Sequence, residues 1–176
     1  GFENVAMLDG GNAAWTASME ELITSANNTE AKNFIANDAH SEILATIDDV
    51  KSALSNSIIT LVDTRDLRQH IGVKKKDYVY DFGHIPGSKL LPYKMLHPAK
   101  GVMNFVSKSQ IAERLKALNI NPDGAIILYC NSAYECSSVW FSLYEIYGNH
   151  QVRIYDGSLH QWTKDPNNPM TTILAN

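Results

Sequence analysis

Apolar residues in this chain come in short unbroken runs separated by polar loops and by stretches with helical spacing. Ile58-Ile59-Thr60-Leu61-Val62 is β-branched and ends at Asp63-Thr64-Arg65. Ala125-Ile126-Ile127-Leu128-Tyr129 is too short for a globular helix and has no polar alternation, the pattern of a strand buried on both faces of a parallel sheet. Val152 to Tyr155, and Ser88 to Leu91 stopped by Pro92, read as two more short strands. Thr46 followed by Asp48 and Asp49 predicts an N-cap and an acidic first turn, opening a helix through Leu54. Ser107 with Gln110 predicts a capping box for a helix carrying Ile111, Leu115 and Leu118. From about Cys136 an apolar helix follows, with Val139, Leu143, Ile146 and Tyr147 on one side and Trp140 and Tyr144 widening that face. Strands alternating with helices predict an α/β fold with a parallel sheet covered on both faces.

The two ends of the chain repeat each other. Val5 to Trp15 aligns without gaps on Val152 to Trp162 at an offset of 147, with Val, Asp, Gly and Trp in register. Each reads as a short strand, an Asp-Gly turn and a short helix anchored by Trp. One complete domain fits between them, so residues 1–19 are expected to be the tail of a preceding domain. Residues 20–40, rich in Asn, Ser and Thr, read as a linker with an extended Asn33–Ala36 piece, and residues 41–176 as the domain itself.

Composition narrows the chemistry. Of 176 residues, 44% are hydrophobic and 19% charged, which fits a soluble globular protein, cytoplasmic or periplasmic. No apolar run is long enough to span a membrane, and the first residues have neither the basic nor the apolar region of a signal peptide. A net charge of −4 argues against a nucleic-acid or anionic-membrane surface. Lys74-Lys75-Lys76, followed at once by Asp77, reads as a solvated loop. The two cysteines, Cys130 and Cys136, have neither zinc-site nor CxxC spacing, and the six histidines are scattered, so no metal or other cofactor is expected. Cys130 itself stands between a buried parallel strand and a helix N-terminus, where α/β folds place anion sites and nucleophiles.

Four segments in order carry a family resemblance: Leu61-Val62-Asp63-Thr64-Arg65, Gly83-His84-Ile85-Pro86-Gly87, Ile127-Leu128-Tyr129-Cys130, and the Tyr155-Asp156-Gly157-Ser158 turn with Trp162. Over residues 41 to 170 the chain resembles a rhodanese domain, specifically the carboxy-terminal domain of a tandem thiosulfate/mercaptopyruvate sulfurtransferase. Met7 to Gly11 with Trp15 matches the close of the family's first domain. The resemblance implies a rhodanese-like fold, a five-stranded parallel sheet sandwiched between helices, and an upstream rhodanese-like domain in the same protein.

The implied reaction is sulfur transfer. Cys130 as thiolate attacks a small-molecule donor, thiosulfate or mercaptopyruvate, becomes a persulfide, and passes the sulfur to a thiol or cyanide. The loop residues Asn131, Ser132, Ala133, Tyr134 and Glu135 form the substrate-binding cradle, their backbone N–H groups converging on the Cys130 sulfur. Arg65 has two readings: contact with the donor's anionic end, or an ion pair with Asp63 or Asp66. Asp63, His84, Asp156 and Gly157 are expected to shape turns. Cys136 is either a thiol that resolves the persulfide or pairs with Cys130, or a small buried residue of the first helical turn. The loop departs from the family pattern at Ala133, where glycine is common, and at Glu135, where many members carry arginine. Glu135 is expected to turn outward, with Arg65 and Lys74 to Lys76 supplying the positive field. The competing class is a rhodanese-like module that binds a partner or small anion without turnover.

Overall fold

Five short strands pair side by side in the order β1-β5-β4-β2-β3, every pairing parallel. The computed structural model describes residues 4–26, 30, 33–36, 40–98 and 100–173. The first three residues, read above for a leader, and parts of the expected linker lie outside these. The strands are β1 (Leu44–Ala45), β2 (Ile59–Asp63), β3 (Lys89–Leu90), β4 (Ala125–Tyr129) and β5 (Val152–Tyr155), and the helices α1 (Gly11–Ala17), α2 (Ile47–Ala53), α3 (Leu67–His70), α4 (Lys108–Ala117), α5 (Tyr134–Phe141) and α6 (Ser158–Trp162).

The central strand β4 divides the core by its period of two. Ile126 and Leu128 face α4 and α5, packing with Ile111, Leu115, Val139 and Leu143. Ile127 and Tyr129 face the other way, against Val50, Ala53, Leu159 and Trp162 of α2 and α6. Both faces of the sheet are therefore buried, which is why the run Ala125 to Tyr129 shows no polar alternation.

Local capping sets the helix starts. Thr46 Oγ1 accepts the Asp49 N–H at 3.2 Å while the Asp49 carboxylate accepts the Thr46 N–H at 2.8 Å. Ser107 and Gln110 make the same reciprocal pair at the start of α4. The apolar helix expected from Cys136 begins two residues earlier, at Tyr134, and continues past Phe141 as a π-helical turn, Ser142–Tyr147, ended by Gly148 in the left-handed region (φ 93°). Its outer residues Trp140, Tyr144, Ile146 and Tyr147 are only part-buried.

The repeated ends differ. Residues 152–162 form strand, turn and helix, whereas residues 5–15 form the turn at Asp9 and Gly10 and the helix but not the strand, because among the described residues no strand lies beside residues 5–8 to pair with them. The Asp9 carboxylate accepts the Phe105 N–H at 2.8 Å and ties this segment to the domain. The described residues between 20 and 40 carry neither helix nor strand.

Candidate active site

Cys130 follows β4 at its carboxyl end, and the loop after it is held from below by β5 and α6. The Ser158 hydroxyl accepts the N–H groups of Cys130 and Ala133, each at 3.2 Å, and donates to the Tyr155 carbonyl at 2.9 Å. The carbonyls of Cys130 and Asn131 accept the Leu159 and His160 N–H groups at 3.2 and 2.9 Å. On the other side, Asn131 Nδ2 donates to Gln69 Oε1 at 2.9 Å. Two non-glycine residues bend into the left-handed region to make these contacts, Ala133 at φ 62° and Ser158 at φ 47°. Ala133 takes that conformation at the very position where the family commonly has glycine.

This wrapping turns main-chain N–H groups toward the Cys130 sulfur. Cys130 is 1% exposed. The Cys136 thiol beside it, and the N–H groups of Cys136, Ser132 and Glu135, stabilise the thiolate against the cost of burial and bring the Cys130 pKa down to about 6. Cys136 moves the opposite way. The hydrogen bond it gives Cys130, then burial and the Cys130 charge, push it well above the ordinary thiol value, so it stays protonated as a donor; it also reaches the Ala133 carbonyl at 3.3 Å. Both cysteines are free thiols.

The sulfur sits at a cleft of about 370 Å³ lined by Cys130, Asn131, Ser132, Tyr134 and Glu135 from the loop and by Lys76 and Tyr78 across from it. Four of the five cradle residues named from sequence line this cleft with Cys130; Ala133 does not. Tyr134 is 86% exposed at the rim.

Two expectations about charge are corrected. Glu135 does not turn outward: its Oε2 is buried and meets no hydrogen-bond partner among the described residues. Burial, and then the Cys130 charge, raise its pKa. Its place in the first turn of α5, whose N-terminus faces the sulfur, carries the side chain inward. Nor does the Lys74 to Lys76 run act as one field. Lys74 pairs with Asp66 at 2.7 Å, Lys75 donates to the Val79 carbonyl at 2.7 Å, and only Lys76 lines this cleft.

Arg65 lies beneath the loop, 1% exposed, in the ion pair that was its second reading. Its Nε and Nη2 donate to the two Asp63 carboxylate oxygens at 2.9 and 2.6 Å, and Nη2 also donates to the Gly83 carbonyl at 2.7 Å. Asp63 Oδ2 further accepts His70 Nδ1 at 3.0 Å. Despite full burial, the Arg65 charge and these hydrogen bonds hold the Asp63 carboxyl below its ordinary range. His84 stacks on His70 with ring centroids 3.7 Å apart and donates from Nδ1 to the His70 carbonyl at 2.7 Å. The turn at Gly83 requires glycine, because at φ 90° an added Cβ would lie 2.0 Å from the Thr171 carbonyl oxygen. Asp156 and Gly157 join β5 to α6, the two elements that hold the nucleophile loop.

Sequence reasoning missed His70 and Ser158. His70 carries no local signal beyond the Asp66 N-cap that starts its helix. Ser158 stood in the quoted Asp-Gly-Ser turn, but its partners Cys130 and Ala133 are 28 and 25 residues away. Among the described residues no group of three or more His, Cys, Asp or Glu side chains could hold a metal ion.

Comparison with known proteins agrees with this geometry. The family model described as "Rhodanese-like domain" matches residues 46–165. A protein of Mycobacterium leprae provisionally named thiosulfate sulfurtransferase SseA is 29% identical over 178 residues, covering 97% of this chain and 58% of its own length. The sulfur carrier protein TtuD of Thermus thermophilus is 28% identical, covering 92% of this chain and 59% of its own. The chain thus spans little more than half the length of these curated relatives. Among solved structures, the anaerobic ergothioneine biosynthesis enzyme of Chlorobium limicola superposes with a TM-score of 0.87 at 24% identity, over 98% of this chain and 42% of that one, a likeness of fold.

Proposed function

The chain belongs to the rhodanese-like family, and from that premise we propose that it is a sulfurtransferase working through a Cys130 persulfide. The observation that carries this reading is a buried thiol at a strand end, caged by main-chain N–H groups and brought down to about 6, hence a thiolate at neutral pH. The thiolate attacks the outer sulfur of thiosulfate or the thiol sulfur of mercaptopyruvate; a new sulfur–sulfur bond forms while the donor's bond to that sulfur breaks, and sulfite or the 2-oxo acid carbanion departs with the electron pair. A thiol or cyanide acceptor then attacks the outer sulfur and releases the Cys130 thiolate. Asn131 to Glu135 form the cradle. Arg65 acts as a positive charge under the loop, oriented by Asp63, rather than by grasping the donor.

Incubation with thiosulfate and with 3-mercaptopyruvate, followed by intact mass measurement, tests this. The expected result is a gain of one sulfur that is lost in Cys130→Ala. No gain from any donor would favour a binding module without turnover. The inward Glu135 carboxyl is the observation on that side, since it opposes entry of a dianion.

The domain reading carries over as part of the same proposal: residues 1–19 close an upstream rhodanese-like domain of a longer protein, and residues 20–40 link it to this one. Apolar side chains left in the open on that segment support it, among them Val5, Met7 and Met19 at 76%, 58% and 93% exposure. The greater length of the curated relatives supports it too.

A further inference from the structure

Most of the charged groups around the nucleophile are spoken for. Arg65 is held by Asp63, and Asp66 by Lys74. Glu135 is different: its carboxyl lines the same cleft as Cys130, and its buried Oε2 has no hydrogen-bond partner among the described residues. A buried carboxyl oxygen left in that state is costly unless a ligand meets it or the group carries a proton.

We propose that Glu135 is a catalytic acid of this site, delivering a proton to the carbon leaving group of a 3-mercapto-2-oxo acid donor and so favouring such donors over thiosulfate. This deepens the sulfurtransferase reading and rests on it.

The charged groups that act on the carboxyl are Cys130 from the end of β4 and Lys76 from the loop opposite, both in the same cleft, with Asp66 at the start of α3 and Arg65 after β2. Lys76 and Arg65 favour its charged form, Cys130 and Asp66 oppose it, and burial outweighs each of them in the same direction as Cys130. Burial and the Cys130 charge together make this carboxyl hold its proton more readily than a free glutamate does.

The donor chemistry needs both Cys130 and Glu135. The Cys130 thiolate attacks the donor's thiol sulfur, forming the sulfur–sulfur bond. The carbon–sulfur bond breaks with its electron pair on carbon, giving the enolate of a 2-oxo acid. Glu135 gives its proton to that carbon, which becomes a methyl group. The S–H proton of the persulfide then returns to the Glu135 carboxylate. Sulfur is oxidised to the sulfane level by the same electron pair that reduces carbon, so no external oxidant or reductant enters. With thiosulfate the pair leaves on sulfite, which is stable without a proton, and the carboxyl has no task there except to repel a dianion when ionised.

The test is the rate of persulfide loading on the full chain, read by intact mass, for wild type, Glu135→Gln and Glu135→Asp with 3-mercaptopyruvate and with thiosulfate. Glu135→Gln is expected to slow loading from 3-mercaptopyruvate by about 100-fold or more, the usual size of a general-acid contribution, and to speed loading from thiosulfate, because the carboxylate that opposes the dianion is gone. Glu135→Asp should recover part of the loss. The wild-type rate with 3-mercaptopyruvate should also fall at alkaline pH as the acid ionises, a limb missing in Glu135→Gln. Thiosulfate loading of the Gln protein reports that its site is folded. Equal effects on both donors would overturn the acid role, and so would a wild type that loads from thiosulfate alone, each leaving the sulfurtransferase reading intact. A wild type that loads from neither donor removes that reading and this proposal together.

Discussion

Removing the Cys136 sulfur isolates how the Cys130 thiolate is held. The thiolate is the reactive form, so a thiol brought down to about 6 alkylates near its full rate at pH 7 and loses reactivity as pH falls through that value. Iodoacetamide labelling against pH, read by mass, should give a midpoint near the same value, about 6. In Cys136→Ala the midpoint should move up, because the first of its stabilising donors is gone while the N–H groups of Ser132 and Glu135 remain. Asp63 supplies the other residue-scale test. Its carboxyl is depressed in the folded state by Arg65 and His70, so its contribution is complete above the ordinary aspartate range and is lost as acid titrates it through the lower folded value. Asp63→Asn strands the buried Arg65 guanidinium and should cost about 3–5 kcal/mol in urea unfolding at neutral pH.

At the scale of elements, the nucleophile loop is shaped by what β5 and α6 offer it. Ser158→Ala leaves the Cys130 and Ala133 N–H groups without their acceptor. Each such loss costs about 1–3 kcal/mol, and the alkylation midpoint of Cys130 should shift with it, since the cage loses its shape. Ala133→Gly works the other way. It removes the left-handed penalty at φ 62° and should raise stability by about 1 kcal/mol in the same unfolding measurement. The capping boxes at Thr46 and Ser107 were legible in sequence because their partners lie three residues on, whereas β1, only two residues long, exists through its pairing with Ile154 and Tyr155. No local pattern could announce it.

At the scale of the molecule, two cores on either side of one sheet place the buried Asp63, Arg65, Asn131 and Ser158 at the carboxyl ends of β2, β4 and β5. The amino-terminal segment joins neither core. If residues 1–19 close an upstream domain, Met7 and Met19 should oxidise readily with peroxide in the 176-residue chain and be protected in the longer protein, as peptide mass mapping would show.

What the sequence determined by itself was whatever depends on neighbours within a turn or a strand: the apolar runs of β2, β4 and β5, the helix caps, and a thiol at the end of a buried strand. Tertiary structure alone decided how that thiol is surrounded. Asp63 could have paired Arg65 or left it to a donor, and the stacking of His70 on His84 chose a closed network under the loop. Glu135 could have faced water, yet the N-terminal turn of α5 brings its carboxyl into the cleft of Cys130. The reason is distance along the chain. The loop that turns its N–H groups onto the sulfur is held in shape by segments 25 to 62 residues away, Ser158 and Gln69 among them, and a charge's sign is legible in sequence while its direction is not.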